Sequence, residues 1–343
     1  MMASGLCSLG IGNLMNEVII TVTVTAAAAY LCGKAYIYLW NRTKILATTP
    51  SGFGMLLPLF VLIFMALIPE APSVSLVSIL IVFISGLIYW MDDLIHLPPW
   101  TRILIAFSSG ALLFLTASPE TLFTPFELVV LTIACGIFSI GLTNVANFYD
   151  GNDLNLATMI FLAGTILLFF PDTSNSEFEN IGAVMVGFSI GFGWINRIPF
   201  SLYLGDSGAF VLALLFMLFL INYGLDLSYI PEELMLVLAL PVFDVFYVLL
   251  IRLYYKHDLL SRNYLHLYQR IKIRFGGFAH LMPQFINVGA LLFLADWIES
   301  TSITRFWALF FSSLAFTPVF YLSCRILLVE RNYFFGDGES NQS

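Results

Sequence analysis

The sequence predicts an all-α, polytopic integral membrane protein with about eleven transmembrane helices, organised as one transmembrane domain over residues 1–343. Three observations carry that expectation. Hydrophobic residues make up 59% of the chain and charged residues only 10%, whereas a soluble domain is usually 45–50% apolar and roughly a quarter charged. Apolar runs recur along the whole length, and a helix that crosses a bilayer needs ~20 mostly apolar residues. The basic residues alternate from one connection to the next. This composition excludes a water-soluble enzyme. The 33 Phe, 14 Lys+Arg and net charge of −8 also exclude a disordered chain and a nucleic-acid-binding protein.

Bounded by Pro, Gly and charge, the expected spans are 16–40, 52–69, 74–90, 103–117, 126–146, 155–171, 181–195, 208–222, 233–253, 284–298 and 304–325. The first run has no basic n-region and no small-residue cleavage site, so it reads as a retained span. Connections after spans 1, 3, 5, 7 and 9, with the C-terminal tail, hold Arg42, Lys44, Arg102, Arg197, Arg252, Lys256, Arg262, Arg270, Lys272, Arg274, Arg325 and Arg331. The other side collects Glu70, Glu120, Glu127, Asp172, Glu177, Glu179, Asp226, Glu232, Glu233, Asp296 and Glu299, with Arg305 alone among the basic residues. Basic connections stay cytoplasmic during insertion, which puts the N-terminus outside and the C-terminus inside. Residues 172–180 read as a polar external loop, and 336–343 as a short polar tail. The four cysteines, Cys7, Cys32, Cys135 and Cys324, have neither metal-ligand nor disulfide spacing. No internal repeat is evident.

Chemistry is expected on the inner side. Asp92, Asp93, Asp150, Asp153 and Asp206 lie at or near span ends there, and an unpaired carboxylate near a membrane is costly. Acids presented by three separate inner loops suit a hard cation such as Mg²⁺, which takes one or two carboxylates and fills its shell with water and phosphate oxygens. In the run from Trp90 to His96 the adjacent acids Asp92 and Asp93 diverge by ~100° on a helix, so one can hold metal while the other meets substrate; a solvated loop start is the plainer alternative. Asn144, Asn147 and Asp150 fall within ~120° of one helix face, and Gly151 permits the turn that would bring Asp153 to them. Asn144 alone is equally suited to bonding a neighbouring helix. In Leu204-Gly205-Asp206-Ser207-Gly208, Asp206 or Ser207 could cap the following helix; the functional alternative is an acid at the mouth of a site where glycines admit phosphate.

The longest inner connection, 254–283, carries Tyr254, Tyr255, His257, Arg262, Tyr264, His266, Tyr268, Arg270, Lys272 and Arg274. Its basic residues satisfy topology and suit anionic headgroups; they would also make a cationic wall for a diphosphate. His266 stands out among tyrosines and cations, while His96 and His280 read as bystanders. Asp244, inside a span after Pro241, is a functional candidate or one half of an ion pair with Arg252.

Together these segments resemble the polyprenyl-phosphate N-acetylhexosamine-1-phosphate transferases, from about Thr48 to Arg270. Thr49-Pro50-Ser51-Gly52-Phe53-Gly54 is similar to the family's Thr-Pro-x-Gly-Gly segment, with Phe53 where glycine is usual. Asp92-Asp93 matches the aspartate pair, and Asn144 through Asp153 matches Asn-x-x-Asn-x-x-Asp-Gly-x-Asp. Asn196 with Gly205-Asp206-Ser207-Gly208, and Pro241 with Asp244, match the later segments. Only His266 remains of the His-x-His-His cluster, and the Tyr268-Gln269 that follows resembles the O-antigen-initiating branch.

The resemblance implies transfer of a HexNAc-1-phosphate from a UDP-HexNAc donor to undecaprenyl phosphate, with release of UMP, at the cytoplasmic face of a bacterial inner membrane. It implies Mg²⁺, replaceable by Mn²⁺, on Asp206 with Asp93 or Asp92. Asn144, Asn147, Asn196, Asp150 and Asp153 are then expected at nucleotide and sugar, and His266, Arg262 and Arg270 at the diphosphate. The bilayer is a partner, nucleic acid is not, and a homodimer is compatible with this reading. GlcNAc, QuiNAc and FucNAc donors are all open. The rival is a secondary transporter, whose sites lie near the bilayer midplane; among these acids only Asp244 leans that way. The CDP-alcohol phosphotransferase type is a further rival, but Asp150-Gly151 lacks its continuation.

Overall fold

The computed structural model describes residues 2–43, 49–67, 75–118, 122–169, 176–197, 201–224, 232–258, 265–297 and 302–328. Among them are helices and short 3-10 turns and no strand. Eight helices are long and apolar enough to cross a membrane, and three more apolar helices are shorter. The chain divides into two compact units, Met1–Leu234 and Met235–Ser343.

The first unit holds α1 (Met2–Thr43), α2 (Leu56–Leu67), α3 (Leu76–Ile95), α4 (Pro99–Ala117), α5 (Pro125–Tyr149), α6 (Asn155–Phe169), α7 (Ser176–Asn196) and α8 (Gly205–Gly224). Helix α8 packs on α3, α4 and α5, while α7 packs on α1 and α6. Apolar on every side, α8 has no face to offer water. Its membrane-length window, Gly205–Asn222, is 89% buried, so it forms the core. With 15 residues, α6 is about 22 Å long, short of the ~30 Å hydrocarbon layer.

Several ends follow from local sequence. Thr124 and Glu127 form a reciprocal capping box at the start of α5, with Pro125 at the first helical position, where its missing N–H costs nothing. His96 closes α3 in the left-handed region (φ 54°), and Pro98-Pro99 then starts α4.

The second unit holds α9 (Leu236–Tyr254), α10 (Leu267–Phe275), α11 (Met282–Asp296) and α12 (Ser302–Leu327). Helices α11 and α12 pack on each other, and both pack on α9. Only 17% of the α12 window is buried, and Trp307, Phe311, Leu314, Val319, Ile326 and Leu327 stay exposed. An apolar helix with so little protein cover belongs in lipid.

Each of the eleven expected spans coincides with a helix, with three corrections. Residues 52–55 are not part of α2 but a glycine-led 3-10 turn. Residues 176–180, read as loop, open α7; hydropathy marks where apolar residues stop, whereas a helix bonded within itself can run past that point. The connection expected at 254–283 also contains a helix of its own, α10. Hydropathy passes over it because four of its nine residues are charged or amide-bearing.

Candidate functional site

At one end of the first unit the C-terminal turns of α3 and α5 meet the N-terminus of α8. Asp92 is 1% exposed. Its Oδ1 accepts the Leu97 N–H at 2.5 Å and Arg102 Nη2 at 3.1 Å, and its Oδ2 lies 2.6 Å from Arg102 Nε. The second guanidinium arm, Nη1, lies 3.4 Å from Oδ2 of Asp206. Arg102 thus stands between two carboxylates on different helices. Its backbone is fixed too, because the Arg102 carbonyl accepts the buried Tyr89 hydroxyl at 2.7 Å, and the Tyr89 ring stacks on Phe210 of α8.

Asp93 faces another way, as adjacent helix residues must. Its Oδ1 accepts the Asp206 N–H at 3.2 Å, and its Oδ2 lies 3.5 Å from the Ser207 nitrogen. The start of α8 is therefore capped from α3. Among the described contacts, the hydroxyl of Ser207 donates backwards to the Leu204 carbonyl (3.1 Å). Asp206 is left with a side chain 34% exposed and an Oδ1 that accepts Nδ2 of Asn147 at 3.0 Å.

The Thr49–Gly54 segment holds this helix start in place. Tyr203 N–H donates to the Pro50 carbonyl (2.9 Å), and Phe53 and Gly54 N–H donate to the Tyr203 and Leu204 carbonyls (3.2 and 3.1 Å). Two glycines have conformations that favour no other residue: Gly52 at φ 88° and Gly205 at φ 74°. A Cβ on Gly205 would sit 2.5 Å from both Asp93 Oδ2 and Ser51 Oγ. Phe53 is fully buried and stacks on Phe188 and Phe192 of α7, which anchors the segment to the unit. Tyr36 of α1 donates to the Ser51 carbonyl (2.5 Å) and accepts Trp90 Nε1 (2.8 Å).

Asp150 ends α5. Loss of solvent around its carboxyl, and the negative charges of Asp206, Asp93 and Asp153, hold it well above the usual carboxylate range. The turn after it is strained at Leu154 (φ 68°), not at Gly151. Asn196 supports that turn. Its Oδ1 accepts the Leu154 N–H (2.6 Å) and its Nδ2 donates to the Leu202 carbonyl (2.7 Å). Expected at substrate, Asn196 is buried with both amide ends on backbone, so it braces two loops. Asn144, expected beside Asn147, is exposed and bonds the Ile140 carbonyl of its own helix (2.7 Å), because it lies a turn further from the helix end.

His266 and Arg270 belong to the second unit. Asp244 Oδ2 lies 2.9 Å from His266 Nδ1, and its Oδ1 accepts the Leu267 N–H (2.9 Å) and the Tyr321 hydroxyl (2.6 Å). By sequence Asp244 was matched with Arg252; its ring partner is His266. Arg262 lies outside the described residues.

Among the described residues no three His, Cys, Asp or Glu side chains form a ready metal-ligand group. What exists is an all-oxygen pair, Asp206 and Asp93, joined at one helix end, with one arm of Arg102 3.4 Å from Asp206. That donor set fits a hard cation that takes one or two carboxylates and completes its shell with water and phosphate. Sequence reasoning missed Arg102, which it used only for topology. The ten-residue return from Asp92 through Pro98-Pro99 was the available signal. For Tyr36, 54 positions from Trp90, no sequence signal existed.

Residues 73–224 match the model of glycosyl transferase family 4. The matched stretch lies within the first unit and contains Asp92, Asp93, Arg102, Asn147, Asp150 and Asp206. A curated relative, phospho-N-acetylmuramoyl-pentapeptide-transferase of Vesicomyosocius okutanii subsp. Calyptogena okutanii (strain HA), is 27% identical over 117 residues. That similarity covers 27% of this chain and 32% of the relative, so the chain spans about a third of the length of the curated protein it matches.

Proposed function

We propose that this chain transfers a HexNAc-1-phosphate from a UDP-HexNAc to undecaprenyl phosphate, releasing UMP, at the cytoplasmic face of a bacterial inner membrane. One observation carries the reading: three carboxylates and one guanidinium converge where α3, α5 and α8 meet, and Asp206 is the acid left partly open. The family match over 73–224 supports a transfer of this class.

In the reaction, an oxygen of the lipid phosphate attacks the sugar-linked β-phosphorus. The bond from that phosphorus to the bridging oxygen breaks, and UMP leaves with the electron pair. A phosphate monoester is largely ionised at pH 7, so bringing anions together is a harder task than removing a proton. Asp206 and Asp93 would hold Mg²⁺ or Mn²⁺, which when bound neutralises charge on the diphosphate. Asn147 orients Asp206 through its amide. Arg102 fixes Asp92 and leaves one arm at the open side of the cluster. Asp150 and Asp153, next to this cluster in the chain's first unit, take the nucleotide and sugar. Tyr268-Gln269 after His266 favours the O-antigen-initiating branch.

The test is UMP release from purified protein in bilayers, with undecaprenyl phosphate and a panel of UDP-GlcNAc, UDP-QuiNAc and UDP-FucNAc. Lipid-dependent UMP from one donor is the expected result. No release from any donor, with Mg²⁺ and lipid saturating, overturns the reading.

A further inference from the structure

In the second unit, α10 is docked along one face and leaves apolar side chains uncovered at its far end. Its Leu267 and Ile271 are buried together with Leu240 of α9, Tyr321 of α12 and Leu328. Both ends of the helix are tied to the end of α12. Nη2 of Arg325 donates to the Leu265 carbonyl just before α10, and Nη1 of Arg274 donates to the Leu328 carbonyl. These anchors hold α10 at the level where α12, a helix of membrane-spanning length, comes to its end. Ile273, Phe275 and Phe278 are nevertheless 66%, 62% and 54% exposed. The exposed apolar surface continues into α11 through Met282 and Phe285. Cations are interleaved with it: Lys272 precedes Ile273, and the exposed Arg274 has its guanidinium 5.5 Å from the centroid of the Phe275 ring.

The charge around this surface has one sign. Between Asp258 and Asp296 the sequence holds Arg262, Arg270, Lys272 and Arg274 and no acid, in a chain whose net charge is −8. Topology accounts for basic residues in such a connection. It does not account for three large apolar side chains left uncovered among them, and an exposed apolar patch marks a contact surface. A soluble phosphate or nucleotide would match the cations alone. A phospholipid matches both features, because its anionic headgroup meets the cations while its acyl chains receive the apolar tips. Lys and Arg stems can lie along apolar surface with their charged heads among the headgroups. We propose that α10 and the turn after it bind an anionic phospholipid of the surrounding bilayer, with Lys272 and Arg274 at the headgroup and Ile273, Phe275 and Phe278 at the acyl chains. Binding there is independent of the transfer reaction and of the acid cluster in the first unit.

The experiment uses the full chain with Phe278→Trp in phosphatidylcholine bilayers that contain a small fraction of phosphatidylglycerol. Fluorescence of the added indole, taken as the difference from the unsubstituted chain, is read while one lipid or the other carries brominated acyl chains. Quenching puts position 278 among acyl chains. Brominated phosphatidylglycerol should quench more strongly than brominated phosphatidylcholine at the same mole fraction, and salt should weaken that preference by screening. Lys272→Gln and Arg274→Gln should each lower the preference about 5-fold, the effect of one cation near an anionic surface, and Arg274→Lys should keep it. If Arg274→Gln frees α10 from Leu328, seen as a lower thermal midpoint, Lys272→Gln carries the test alone; if Phe278→Trp does not fold, Phe275→Trp replaces it. No quenching by either lipid, equal quenching by both, or an unchanged preference in Lys272→Gln overturns the inference. Displacement of brominated phosphatidylglycerol by undecaprenyl phosphate at far lower amounts than by plain phosphatidylglycerol assigns the surface to the lipid substrate and also overturns it. A protein that prefers phosphatidylglycerol here and releases no UMP loses only the transferase reading.

Discussion

Asp93 Oδ1 accepts the backbone N–H of Asp206 at 3.2 Å, so the helix that presents one acid is capped by another 113 positions earlier in the chain. A side-chain oxygen at a helix start satisfies an orphan amide and favours the positive end of the helix dipole. Asp93 consequently has two separable tasks, capping α8 and completing the proposed cation pair. Asp93→Asn keeps an oxygen acceptor and removes the charge. Thermal stability should stay near wild type, while UMP release falls ~10²–10³-fold, as for loss of a key electrostatic group. Wild-type turnover in Asp93→Asn would leave the residue as a cap only.

Asp206→Asn should lose turnover on the same scale, about 10²–10³-fold. Chelation with EDTA should abolish activity, and Mg²⁺ or Mn²⁺ should restore it, because the donor set is two carboxylate groups completed by phosphate and water. Full UMP release in chelator, with no metal detectable by elemental analysis, would rule out Asp206 and Asp93 as metal ligands.

Arg102 is the counter-charge of a buried acid, so its loss should matter more than the loss of both partners. Arg102→Gln leaves Asp92 desolvated and unneutralised, a cost on the order of 3 kcal/mol for a broken buried pair. Arg102→Gln with Asp92→Asn removes the stranded charge and should regain most of the thermal midpoint without regaining activity. Equal destabilisation in the single and double variants, read by thermal unfolding in detergent, would show that a stranded Asp92 charge is not what destabilises Arg102→Gln.

Gly205→Ala should be inactive and destabilised, since its Cβ would meet Asp93 Oδ2 and Ser51 Oγ at 2.5 Å with φ at 74°. Gly276 is the matched control: its φ is 66° but nothing lies within 4 Å of an added Cβ. Gly276→Ala should cost only its glycine-type backbone (ψ −167°), about 1–3 kcal/mol. Similar effects of the two substitutions on unfolding and UMP release would dissociate the site from the clasp around Gly205.

Charge alternation predicts the membrane orientation. Ser174→Cys and Ser228→Cys should react with an impermeant thiol reagent added to intact cells, and Ser261→Cys should not; all three positions lie outside the described residues. Labelling of Ser261→Cys from outside would strand the acids away from cytosolic UDP-sugars.

Apolar runs of bilayer length determined the helical class and the position of every long helix, because in lipid each backbone polar group must be satisfied within its own segment. Charge at the span ends gathered Asp92, Asp93, Asp150, Asp153 and Asp206 as candidates, since acids in such places are costly and seldom idle. What each does was decided by packing. Periodicity put Asn144, Asn147 and Asp150 on one face, but only the contact of α5 with α8 selects Asn147, whose amide reaches Asp206. Asn196 carried a motif and proved to be a brace, because its partners Leu154 and Leu202 are brought to it by two separate loops. Arg102 looked like a topological charge, and the Pro98-Pro99 turn folded it back onto Asp92. Tyr321 carried no signal and Arg325 only a topological one, since a hydroxyl and a guanidinium near the end of an apolar helix acquire further meaning only when α9 brings Asp244 beside Tyr321. One-dimensional patterns record what each segment must bury. Which polar groups then find each other depends on distances between segments, and only the folded chain sets those.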